Sequence, residues 1–141
     1  MAAMNLDDDF AEAKLVKDSN RWELQRGEPL EVWATFTAPQ APTEKFQARL
    51  AWARYPDQPP SLKFRDPNSG RLDMPGAWPQ LPGLRPASLD ACVSWTLEGM
   101  TLHPEWAGDP KYRWDPSGNI LLKVLRILTD LFDTSFLGRH Q

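Results

Sequence analysis

Eight of the 14 prolines in this 141-residue chain fall between Pro56 and Pro86. Proline locks φ and has no backbone N–H to donate, so neither a long helix nor a central strand can run through that stretch. The middle of the chain must therefore be mostly extended loop, with the long regular elements confined to its flanks. Seven tryptophans are the second unusual count, and Trp78, Trp95, Trp106 and Trp114 lie between Arg65 and Trp114, where no helical or strand period is sustained. So much aromatic area is costly to leave in water, so this segment is expected to be an ordered loop packed on the rest of the fold.

On the N-terminal flank, Phe10, Ala11, Ala13, Leu15 and Val16 predict a short amphipathic helix from about Asp8 to Asp18, with Asp7, Asp8 and Asp9 at the positive end of its dipole. Trp22 and Leu24 then alternate with charged neighbours, and Gly27-Glu28-Pro29 breaks the run as a hairpin turn would. Leu30, Val32, Ala34, Phe36 and Ala38 point one way in a second strand, with Trp33 on its other face. After a turn over Pro39 to Thr43, Phe46, Ala48, Leu50 and Trp52 mark a third strand, and Leu62 and Phe64 a short fourth. On the C-terminal flank, Asp115-Pro116-Ser117 supplies a cap candidate and a proline suited to a first helical turn. Leu121, Val124, Leu125, Leu128, Leu131 and Phe132 then form one apolar face. Four half-apolar strands need a cover, and this helix is the only long apolar stripe available. The expected architecture is α+β, in a single domain spanning residues 1–141.

Composition narrows the function classes. The 19 acidic residues outnumber the 16 basic ones, for a formal net charge of −3, which disfavours a nucleic-acid partner. The longest apolar stretch, Ile120 to Leu128, is interrupted by Lys123 and Arg126 and falls far short of the ~20 residues of a membrane span. No membrane association is expected. The acidic N-terminus has no secretory pattern, so a cytoplasmic location is expected. One cysteine and two histidines offer neither an internal disulfide nor a Cys/His metal cluster. With no glycine-rich phosphate loop and no paired carboxylates at helical spacing either, a small-molecule enzyme on another α+β fold has no motif in its favour, and no cofactor is expected.

The order of elements and one motif converge. A helix and a meander come first, then Tyr55-Pro56-Asp57-Gln58-Pro59-Pro60 between strands three and four, then Cys92 in a long loop, then a long helix. Over about Asp8 to Phe132 this resembles the ubiquitin-conjugating enzyme family. There a Tyr-Pro-x-x-Pro-Pro segment follows the third strand, the active cysteine lies in the loop after the fourth, and a tryptophan precedes the long helix. The compact chain, with His103-Pro104-Glu105-Trp106 after the cysteine, is most similar to bacterial conjugating-enzyme-like proteins of ubiquitin-like modification operons. It departs from the family in having no His-Pro-Asn element, since Leu81 to Ala91 contains neither Asn nor His.

The resemblance implies that Cys92 accepts the C-terminal acyl group of a ubiquitin-like protein from an activating-enzyme-like protein and presents it to an amine on a target. A thiolate suits this role, because thioester exchange is nearly isoenergetic and leaves the acyl group activated. The competing reading is a buried structural cysteine. Asp90, two residues earlier, would raise the thiol pKa and is a candidate for steering an incoming lysine. His103, eleven residues on, is a candidate base or oxyanion donor if the loop returns to the sulfur. Asn68 and Asn119 are the remaining amide candidates, although turn and cap duties account for both. By family analogy, Tyr55, Pro56, Pro59 and Pro60 shape a loop whose exposed part is a ligase-docking edge, and the first helix docks the activating enzyme through Lys14 and Lys17. A non-catalytic relative that binds a ubiquitin-like protein or acts as a scaffold is the alternative, because the His-Pro-Asn element is missing.

Overall fold

A computed structural model describes residues 2–141. The first helix, α1 (Ala2–Ala13), is followed by strands β1 (Trp22–Arg26), β2 (Glu31–Ala38), β3 (Ala41–Ala51) and β4 (Ser61–Arg65), which form one antiparallel sheet in the order β1-β2-β3-β4. A two-residue hairpin, β5 (Leu84–Arg85) and β6 (Asp90–Ala91), precedes a short helix α2 (Leu97–Leu102), and helix α3 (Ile120–Thr134) comes last. The architecture is α+β, with α1 and α3 packed against each other and α3 against the sheet. No described helix is long and apolar enough to cross a membrane.

Period-2 alternation sends Val32, Ala34, Phe36, Phe46, Ala48, Leu50, Leu62 and Phe64 to one face, where all are buried. Helix α3 covers that face. Its Ile120, Leu121, Val124, Leu125, Leu128 and Phe132 are inaccessible to solvent, and the Phe132 ring stacks on Phe36 at 5.4 Å between centroids. On the outer face Glu31 is buried among donors: the Glu28 amide, the Trp33 indole and the Arg49 guanidinium.

Several expected boundaries shift. Helix α1 starts earlier and ends at Ala13, and its buried stripe is Leu6 and Ala13 with Phe10 partly buried between them, an i, i+4, i+7 pattern. Leu15 is 84% exposed. The chain turns there because the Lys14 and Leu15 amides bond back only three residues, while the Ala13 carbonyl accepts from the Trp22 indole at 3.1 Å. The three aspartates consequently lie in mid-helix. Asp7 pairs with Arg26 and Asp9 accepts from the Tyr55 hydroxyl, instead of facing the dipole at the first turn. Strand β3 begins at Ala41, so part of the expected turn joins the ladder, with a register shift between Phe36 and Ala38. Helix α3 is capped by Asn119, whose side chain accepts from the Leu122 amide at 2.9 Å, and not by Asp115 or Ser117, which bond each other in the preceding turn.

Candidate site on the hairpin before the short helix

The segment from Arg65 to Trp114 packs on the fold through Trp78, Trp95 and Trp114, while Trp106 stacks on His103 and Tyr112 away from the core, and the segment contains the β5–β6 hairpin and α2, which no period in the sequence announces. The hairpin pairs Leu84 with Ala91 and Arg85 with Asp90, and the Cys92 amide extends the ladder by donating to the Gly83 carbonyl at 2.8 Å. Leu84 and Ala91 point into the core. Their neighbours Arg85, Asp90 and Cys92 must then emerge on the opposite face, and all three are at least partly accessible. Between the strands, Pro86–Ser88 forms a 3-10 turn closed by Leu89 at φ +56°, whose carbonyl accepts from the Lys63 ammonium.

After Cys92 the chain is held tightly. Thr96 is fully buried; its hydroxyl donates to the Ala91 carbonyl at 2.7 Å and accepts from the Gly99 amide at 3.1 Å, capping α2. Glu98 in the first turn accepts from the Ser61 hydroxyl and from the Leu62 amide. The Leu97 amide donates to the Pro60 carbonyl at 2.8 Å. These bonds bring the Tyr-Pro segment and the Cys92 loop side by side. A threonine ahead of Leu97-Glu98 is the one local signal from which α2 was readable.

Cys92 is half-buried and free, and among the described residues no hydrogen bond reaches its sulfur. Asp90 stands beside it on the same face, with both carboxylate oxygens engaged by Arg85, at 2.8 Å to Nε and 2.7 Å to Nη2. His103 closes the C-terminal end of α2; its Nδ1 is 3.0 Å from Glu105 Oε1 and its ring stacks on Trp106 at 4.3 Å. The structure thus joins Asp90 and Cys92 on one hairpin face, while the partners of His103 are Glu105 and Trp106.

Tyr55, Pro59 and Pro60 are buried, Pro56 and Gln58 are partly so, and Asp57 is the exposed residue of that segment. The Pro56 carbonyl accepts from the Trp114 indole at 3.0 Å. Burial, with the Asp9 carboxylate beside it, pushes the Tyr55 phenol far above its ordinary pKa. A cleft of about 280 Å³ opens between this loop and α2, with Pro59, Leu97, Met100 and Trp114 as apolar lining and Asp57 and Arg113 among its charged residues. Lys14 and Lys17 are exposed but lie beyond the end of α1, in the turn that follows it; Lys14 Nζ is 5.4 Å from the Phe10 ring. Asn68 is in the turn after β4, and Asn119 is the α3 cap, its amide also donating to the Asp9 carbonyl and to Glu12. No cluster of three or more His, Cys, Asp or Glu side chains suited to a metal ion occurs among the described residues.

No protein-family model matches this chain, and no curated protein or solved structure matches it either.

Proposed function

We propose that this protein is a transferase that carries a ubiquitin-like protein as a thioester on Cys92 and passes it to an amine. The observation that carries this reading is the position of Cys92. It is the only cysteine, it is partly accessible on the outer side of a hairpin, and it follows a helix, a four-stranded meander and the Tyr-Pro segment in the order that the resemblance to ubiquitin-conjugating enzymes requires. A structural cysteine would be expected under the core, where Leu84 and Ala91 already occupy the inward positions of the hairpin. The partners in this reading are a ubiquitin-like protein, an activating-enzyme-like protein, and a target or ligase reached through the loop at Asp57 and Gln58. His103 is assigned to the discharge step, taking the proton of the attacking amine.

A second reading, a non-catalytic binding or scaffold module of the same fold, draws on the missing His-Pro-Asn element before Cys92 and on the absence, among the described residues, of any hydrogen bond to the sulfur. Co-expression of the protein with the products of its neighbouring genes, wild type beside Cys92→Ser, separates the two on a non-reducing gel with intact-mass analysis. The expected result is an adduct of about the mass of a small ubiquitin-like domain on Cys92, removed by thiol reductant and replaced in Cys92→Ser by a reductant-resistant ester. No adduct, in cells where the activating enzyme is itself charged, overturns the transferase reading in favour of the binding module.

A further inference from the structure

We infer that Arg85, held in place by Asp90, is the donor that stabilises the oxyanion when the Cys92 sulfur exchanges acyl groups; this rests on the transferase reading of the same site. The register of the hairpin carries it. Arg85 lies opposite Asp90, and Gly83 opposite Cys92, so Arg85 and Cys92 form a diagonal pair on the solvent face. Diagonal neighbours on an antiparallel ladder are about 7–8 Å apart at Cα, within reach of a side chain as long as arginine. Gly83, opposite Cys92, has φ +83° and no side chain, and Val93 Cγ1 fills the place its Cβ would take.

The guanidinium is also oriented. Both oxygens of Asp90 are used, by Nε and Nη2, and Nη1 has no partner among the described residues. The Asp90 side chain is 17% exposed and that of Arg85 45% exposed, so the carboxylate is the more enclosed partner of the pair. A bidentate pair of this kind fixes the plane of the guanidinium, leaving Nη1 with a set direction. The charge on Arg85 is held above its ordinary pKa by the hydrogen bonds it donates to Asp90, burial opposing, with the field of Asp90 and then of Cys92 adding to it.

The step follows. The Cys92 thiolate attacks the carbonyl carbon of an incoming thioester; a new S–C bond forms as the C=O π pair moves onto oxygen. That oxyanion accepts from Arg85 Nη1. Collapse of the intermediate expels the donor thiolate, which takes a proton from solvent, and the acyl group is left on Cys92. Thioester and thiol are consumed and regenerated in equal number. Arg85 is the catalytic residue and Asp90 its positioning residue.

Two probes that need no knowledge of the modifier test this on the full chain. The first is alkylation of Cys92 by anionic iodoacetate and neutral iodoacetamide. Arg85→Gln is expected to lower the ratio of the two rates several-fold, and Asp90→Asn to raise it; a purely structural role moves both rates together. The second is transfer of the acyl group of the S-benzyl thioester of N-acetylglycine to Cys92, followed by mass. With rates normalised to iodoacetamide alkylation, Arg85→Gln is expected to slow transfer by about tenfold or more. Arg85→Lys should restore part of the loss, and Asp90→Asn should fall between wild type and Arg85→Gln. Unchanged normalised transfer in Arg85→Gln overturns the inference, as does wild-type transfer no faster than that to free cysteine. An adduct in cells with these rates unchanged would leave the transferase reading standing and this inference fallen. Slowed transfer without any adduct in cells would do the reverse.

Discussion

Gly99 shows how much a single residue can decide near Cys92. A Cβ added there would lie 1.9 Å from the Val93 carbonyl oxygen and 2.6 Å from its nitrogen, backbone atoms that cannot rotate away. Val93 follows Cys92 directly, so the close approach of α2 to the cysteine loop depends on this missing side chain. Gly99→Ala is therefore expected to push α2 off the loop and to destabilise the protein by about 1–3 kcal/mol, the usual cost of overpacking. Denaturant unfolding measures the loss, and Cys92 alkylation by iodoacetamide should accelerate as the loop loosens. An unchanged midpoint and an unchanged rate would show that α2 is not held by this contact. Asp90 carries a related lesson. Read along the chain it is a carboxylate free to act on an incoming group; in the fold it is committed to Arg85.

Among the elements, α3 is the one whose sequence and structure agree most closely, because a 3.6-residue apolar period has only one way to bury itself against a half-apolar sheet. Its start differs from expectation for a local reason. Asp115-Pro116-Ser117 has the composition of a cap, but Asn119 stands immediately before Ile120, bonds the Leu122 amide, and reaches α1 at the Asp9 carbonyl and at Glu12. Asn119→Ala removes the cap and the link to α1 together, and a loss of about 1–2 kcal/mol is expected in denaturant unfolding. Asp115→Ala should cost clearly less. Equal losses would return the cap to the Asp-Pro-Ser turn. The same kind of ambiguity governs helix α1, since Phe10 belongs to two candidate stripes. The stripe through Leu6 and Ala13 prevails because it faces α3, whereas Leu15 points to solvent.

At the scale of the whole molecule, ion pairs tie distant parts of the chain together: Arg21 with Asp133, Arg126 with Asp18, and Arg49 with Glu31. Glu31 is the most enclosed of these acids. Burial raises its pKa, but the hydrogen bonds from Arg49, the Glu28 amide and the Trp33 indole, with the Arg49 charge, outweigh it, and the net shift is downward. Such a group stabilises the folded state above its unfolded pKa of about 4.3, and the contribution disappears as pH falls through the lower folded value. Glu31→Gln should therefore destabilise the protein at pH 7, and the difference from wild type should shrink steadily below about pH 4 in denaturant unfolding followed against pH. A pH-independent difference would mean that packing and not charge is lost. Asp9 has the opposite sign: burial leads, Glu12 and Asp8 add to it, and together they outweigh the Tyr55 bond, so its carboxyl is raised. Its contribution is complete below the unfolded Asp value and is lost as pH rises through the folded one.

Local pattern by itself determined the α+β class, the four-strand alternation and the long covering helix. Each follows from apolar periods of 2 or 3.6 residues that must be buried on one face, and periodicity is a property of the chain alone. The residue count supplied one cysteine, Cys92, and only the resemblance to conjugating enzymes makes it a candidate nucleophile. What surrounds the sulfur is of another kind. The proline-rich middle has no period, so its hairpin and α2 exist through long-range bonds, Leu97 to Pro60 and Glu98 to Ser61, that join residues more than thirty positions apart. Only those contacts decide that Arg85 shares a hairpin face with Cys92, and that His103 pairs with Glu105 and stacks on Trp106. The physical reason is that a side chain's neighbours in a loop are set by where the backbone polar groups of that loop find partners, and these partners lie on other elements.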